Sequence, residues 1–137
     1  MADITITAAN VAFVSGQKIH GTAGATVTAG MPVYIDSSDS SELKGCDADA
    51  EASAACVGIA LHAASDGQPL TYAAPGSVVN MGATLTVGEI YVCSTTVGGV
   101  APEADIITTG DYVTVLGVAT TAANLKFTPI VSGVAIP

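Results

Sequence analysis

An all-β fold follows from three features of this 137-residue chain: its apolar residues are mostly small or β-branched, period-two alternation recurs in short runs broken by Gly and Pro, and one phrase occurs twice. The phrase is "GATVTAGMPVYI" from Gly24 to Ile35 and "GATLTVGEIYV" from Gly82 to Val92. Gly82, Ala83, Thr84, Thr86 and Gly88 stand 58 positions after Gly24, Ala25, Thr26, Thr28 and Gly30, and Tyr91 answers Tyr34 if one residue is deleted. The echo extends to "VGIAL" (Val57–Leu61) with "LGVAT" (Leu116–Thr120), and to "PLTYA" (Pro69–Ala73) with "NLKFT" (Asn124–Thr128). Each repeat holds about four short strands, too few to bury a core alone, so two halves, about 21–80 and 81–131, are expected to share one small β-barrel or β-sandwich.

The elements follow in order. "ITITAANVAF" (Ile4–Phe13) alternates from its first residue, which predicts a strand near the terminus. Such a strand needs a partner, either its own sheet or the sheet edge of another protein, so residues 1–12 are read as an N-terminal arm or first strand and 13–137 as the β domain. "SGQKIHGTAG" reads as a loop. In the first phrase Thr26–Thr28 and "PVYI" are expected to form a hairpin about Gly30, with Pro32 at a strand start. Asp36–Cys56 carries half of the 12 acidic residues and reads as loop, with one short helical turn around Asp47–Ala55. Its counterpart, Cys93–Tyr112, is also turn-rich, and "FTPIVSGVAIP" returns to strand character.

Composition narrows function. Against the 12 acidic residues stand three lysines and no arginine, a formal charge of −9. Contact with phosphate needs cations, so neither nucleic acid nor an anionic membrane is an expected partner. "MADITITAAN" has no basic n-region or apolar core of a secretory leader, and no run approaches the ~20 apolar residues of a membrane helix, so a soluble protein made in the cytoplasm is expected.

Chemistry-bearing patterns are sparse. Asp36, Asp39, Glu42, Asp47, Asp49 and Glu51 offer hard oxygens but not the order of a calcium loop, and a solvated loop is expected instead. His20 and His62 have no metal-ligating neighbour in sequence. Cys46, Cys56 and Cys93 lack the spacing of a metal knuckle or redox dithiol and read as buried thiols in a reducing compartment. There is no nucleophile elbow and no phosphate loop, so no enzyme, metal or cofactor is expected. Tyr34, Tyr72, Tyr91, Tyr112, Phe13 and Phe127 fall at strand positions and read as core or subunit-contact residues.

A "G-x-x-V-Y" corner (Gly30, Val33, Tyr34) followed by a "G-[IV]-A" strand (Gly58, Ile59, Ala60), with Gly88, Tyr91, Val92, Gly117, Val118 and Ala119 in the second half, resembles the head decoration (cement) proteins of tailed bacteriophages. The resemblance implies a β-tulip-like domain on the outer surface of an icosahedral capsid, bound to the major capsid protein, with a homotrimer favoured. It also implies a docking role for the N-terminal arm, here Ala2, Asp3, Ile4, Thr5, Ile6 and Thr7. It assigns no role to the acidic loop. A β-barrel carbohydrate-binding or host-adhesion module is the alternative, disfavoured by an aromatic share of 4%. A small hydrolase with a metal in the acidic loop is a third.

Overall fold

The computed structural model describes residues 3–105 and 109–137. A 3-10 turn at Ala8–Asn10 leads into β1 (Val11–Ser15), β2 (Lys18–Thr22), β3 (Pro32–Asp36), β4 (Glu42–Gly45), β5 (Cys56–Ala60) and β6 (Pro69–Ala73). Then come β7 (Val78–Met81), β8 (Ile90–Cys93), β9 (Val100–Pro102), a 3-10 turn at Glu103–Asp105, β10 (Tyr112–Ala119) and β11 (Asn124–Ala135).

The fold is all-β, in two antiparallel sheets ordered β2-β6-β5-β3-β4 and β1-β7-β11-β10-β8-β9. Apart from β1 the two orders are the same, with β7 to β11 standing in turn for β2 to β6. The duplicated phrase is thus the trace of a duplicated sheet. On strand order the boundary between halves lies between Ala73 and Val78, and among the described residues each half holds five strands instead of about four.

Register corrects the one-residue deletion. Val33 pairs with Gly58 and Tyr91 with Gly117, while Tyr34 pairs with Cys56 and Val92 with Val115. Tyr91 therefore occupies the place of Val33, and the 58-residue offset holds ungapped along the strand. Strand alternation fixes which side chain faces inward, and both Val33 and Tyr91 do.

Four other expectations change. The segment from Asp3 to Thr7 is extended but is not a strand, and the first strand begins at Val11. Lys18–Thr22, read as loop, is strand β2 on a sheet edge, where Lys18, Ile19, His20 and Thr22 are exposed and hide the period. Glu42–Gly45 and Val100–Pro102, also read as loop, are the edge strands β4 and β9. The phrase itself is a corner and not a hairpin: Val27 exchanges backbone hydrogen bonds with Ala64, at 2.8 and 2.9 Å, instead of with β3. That pairing carries Val27 into the interior, where it is fully buried.

The first sheet curls until Ala23, just past β2, bridges Leu43 of β4, and the amide of Gly24 donates to the Leu43 carbonyl at 2.8 Å. Its concave side encloses Val27, Val33, Leu43, Ala60, Leu70 and Tyr72. Its other face meets the second sheet across a larger core built on Ile59, Met81, Tyr91, Leu116, Leu125 and Phe127. A sheet covered on both faces needs apolar residues without alternation, which is why "CVGIA" carries no period-two signal.

A glycine at the same point of both sheets makes this geometry fit. The strand register slips beside Val57 and beside Leu116, and Gly58 and Gly117 follow these bulges. A Cβ on Gly58 would overlap the Tyr72 ring and lie 2.9 Å from the Ala73 carbonyl oxygen. One on Gly117 would overlap the Lys126 carbonyl oxygen and lie 2.9 Å from its carbon.

Candidate functional site

The N-terminal segment lies along its own domain. Ala2 lies outside the described residues. Asp3 accepts a 2.6 Å hydrogen bond from the Ser94 hydroxyl, and the Ile4 amide donates to Val100 at 2.8 Å. Ile4 and Ile6 pack on the intersheet core, Ile6 reaching within 2.8 Å of where a Gly30 side chain would begin. The Thr7 amide donates to Gly82 at 2.8 Å. The segment thereby ties glycines of both phrase copies, Gly30 and Gly82, while Thr5 and Thr7 face solvent. The alternation visible in "ITIT" survives as alternating burial.

At the other end of the chain β11 outgrows its neighbours. It spans 12 residues, but β7 pairs only with Asn124–Lys126 along one edge. Toward its end, Thr114 pairs with Val131 and Tyr112 with Ala135, so residues 132–134 arch out as a bulge about Gly133 (φ 67°). Ile130 and Val134 are 64% and 68% exposed, and Val131 is 43% exposed. Scattered exposed aliphatics are ordinary, whereas these three fall within five residues on a strand with one open edge.

The acidic stretch is more ordered than a solvated loop. Lys44 bridges Asp36 at 2.9 Å and Asp39 at 3.1 Å. The Ser38 hydroxyl and amide, at 2.6 and 3.0 Å, and then Lys44 hold Asp36 down to about 2. Asp47 accepts from the Asp49 amide and the Ser53 hydroxyl, and the Ala54 amide donates to Ala50 at 3.0 Å, giving the expected single helical turn. The Ala48 amide donates to Ser94, the Tyr112 amide to Ala48, and the Thr114 hydroxyl to Ala54, so this loop clamps the first half to the second. Of its carboxylates, Asp36 and Asp39 take the Lys44 ammonium and Asp47 holds a local turn.

His20 and His62 meet at Thr71. His20 Nδ1 lies 2.9 Å from the Thr71 hydroxyl, and His62 Nε2 accepts from the Thr71 amide at 3.0 Å while Nδ1 donates to Ala63. Both rings are engaged at the middle of β6.

One carboxyl is placed at a cost. Asp111 is 7% exposed and its Oδ2 has no hydrogen-bond partner among the described residues. Burial, and then the charge of Asp49, push its pKa above the usual 3.8. A raised folded value makes the carboxyl's contribution most favourable below 3.8, where it is protonated folded and unfolded, and that contribution is lost as pH rises through the folded value. Asp111→Asn should therefore raise the melting temperature at neutral pH and give no gain below pH 3.8. Thermal melts at both conditions check this; a lower melting temperature at neutral pH would refute it.

The three cysteines converge, which their spacing does not disclose. Cys46 leaves β4, Cys56 opens β5 and Cys93 closes β8, and their sulfurs all lie within 4.8 Å of one another. The bulge beside Val57 turns Cys56 to the intersheet face, whereas Ala60, four residues on, faces the curled interior. All three are free thiols and buried, with exposures of 0%, 4% and 1%. Burial, reinforced by hydrogen bonds with the other two thiols, pushes the Cys46 pKa far up. At Cys56 burial is outweighed by hydrogen bonds from Cys46 and Cys93 and from backbone groups, so its pKa falls. The Cys56 sulfur also lies 3.4 Å from the Gly58 carbonyl oxygen.

Among the described residues, no helix is long and apolar enough to cross a membrane. No protein-family model and no curated protein matches the chain.

Proposed function

We propose that this chain is a structural decoration protein that binds the outer surface of an icosahedral phage head and joins neighbouring major capsid subunits, acting as a homo-oligomer with a trimer favoured. The observation that carries the reading is the β11 overhang: an open strand edge flanked by exposed Ile130, Val131 and Val134 suits backbone pairing with a strand of the shell. The twin sheets supply a rigid body to present it. Thr5 and Thr7, outward on the anchored N-terminal segment, offer a second contact, with Asp3, Ile4 and Ile6 holding that segment in place. A ligand that binds only the assembled shell stabilises it by the free energy of binding, and many copies in contact with several subunits add avidity.

Full-length protein should co-sediment with expanded phage capsids, and light scattering should give the mass of three chains. Ile130→Asp/Val134→Asp, altered at exposed positions, should keep its stability to within about 0.5 kcal/mol and lose capsid affinity at least about tenfold. Full-length protein that stays in the supernatant at every concentration would overturn the reading.

A further inference from the structure

We propose that Cys46, Cys56 and Cys93 form a binding site for one thiophilic closed-shell metal ion, zinc(II) or copper(I), held by three thiolates at the seam between the two sheets. The chain has three cysteines, and all three meet at one point although they stand just past β4, at the start of β5 and at the end of β8. Cysteines used only as small apolar fillers have no reason to gather. A metal with sulfur bonds of about 2.3 Å at the centre of a triangle needs sulfurs about 4 Å apart, and the observed triangle, with no edge above 4.8 Å, reaches this by small side-chain adjustments. The three cysteines belong to the apolar core between the sheets, with the Gly58 carbonyl oxygen 3.4 Å from the Cys56 sulfur, so sulfur supplies most of the donor set. Soft thiolate donors select these ions over calcium or magnesium.

Each thiol loses its proton to solvent as its sulfur–metal bond forms, so binding should weaken as pH falls. Three thiolates leave a net charge of −1 on zinc(II) and −2 on copper(I). Copper(I) is satisfied by three sulfurs, whereas zinc(II) completes a tetrahedron with water or another oxygen. The site joins the two repeats, since Cys46 and Cys56 belong to the first and Cys93 to the second. A bound ion would therefore cross-link the duplicated halves without a disulfide.

The test uses reduced, metal-free full-length protein titrated separately with zinc(II), with cadmium(II) as a spectroscopic substitute and with copper(I) kept reduced. Native mass spectrometry and ultraviolet thiolate-to-metal charge transfer provide the readouts. One equivalent of zinc(II) or copper(I) should bind, the absorbance should saturate at the same point, and the melting temperature should rise by about 10 °C or more when free metal stands 1,000-fold above Kd. Cys56→Ala and Cys93→Ala should each abolish the charge-transfer band. If either variant fails to fold, alkylation of the unmodified protein replaces it: bound metal should protect all three thiols together. Absence of one-to-one binding by both zinc(II) and copper(I), or thiols alkylated at the same rate with and without metal, would overturn the proposal.

Discussion

Gly117→Ala should cost more than about 3 kcal/mol and lower the melting temperature by more than about 10 °C. The added methyl meets backbone: it would overlap the Lys126 carbonyl oxygen on the paired strand and sit 3.3 Å from the Thr128 amide nitrogen. A flexible side chain could swing aside, but here β11 would have to part from β10 at the point where Gly117 pairs with Phe127. Gly58→Ala should cost less, because its methyl meets mainly the Tyr72 ring, which can give more readily than a carbonyl. Gly88→Ala provides the scale, since nothing lies within 4 Å and only its φ of 84° opposes the change, at about 1 kcal/mol. Urea or thermal unfolding of the three variants gives the order; a Gly117→Ala protein melting within a couple of degrees of the parent would refute the close-approach argument.

These glycines also mark how far the sequence can be read. "VGIAL" and "LGVAT" resemble each other because a bulge followed by a close strand approach imposes the same steric demand twice, and such a demand leaves a mark on residue type. The phrases around Gly30 and Gly88 are legible for a related reason: both are turns at positive φ, 90° and 84°. Where no steric demand acts, the signal fades. β2 and β4 carry polar Lys18, His20, Glu42 and Lys44 on their exposed or half-buried positions, so they look like loop. The one-residue deletion at Tyr34 has a similar origin: residue type matches tyrosine to tyrosine, whereas register matches Tyr91 to Val33 by the face each occupies.

The thiol cluster lay beyond reach for a topological reason. Cys56 follows Cys46 by ten residues and Cys93 follows Cys56 by 37, spacings with no local meaning. They meet because β4, β5 and β8 bring their ends to the same part of the intersheet seam, and that follows from how two repeats pack on each other. The acidic stretch hides its role in the same way: its bonds to Ser94, Tyr112 and Thr114 join halves that are remote in sequence.

Contacts between repeats dominate the second large effect, expected for Phe127→Ala. Phe127 is fully buried in the intersheet core, the largest side chain so enclosed, and its ring packs in the cluster that includes Ile59 and Ala73 of the first sheet with Leu116 and Leu125 of the second. Its removal should cost about 3–5 kcal/mol, transfer free energy plus the cavity left behind. Against a total stability of about 5–15 kcal/mol that is a large share. In urea the midpoint should fall with the slope unchanged, since one cooperative unit still unfolds. A two-step transition would instead mean that the sheets are separable domains, and a loss under about 1 kcal/mol would mean that the ring is not at the seam. Because Ile130→Asp/Val134→Asp is expected to spare stability and remove capsid binding, while Phe127→Ala does the reverse per folded molecule, the two variants separate what holds the molecule together from what it presents. If folded Phe127→Ala protein also failed to bind capsids, the overhang could not be acting independently of the seam, and the docking surface would have to extend onto both sheets.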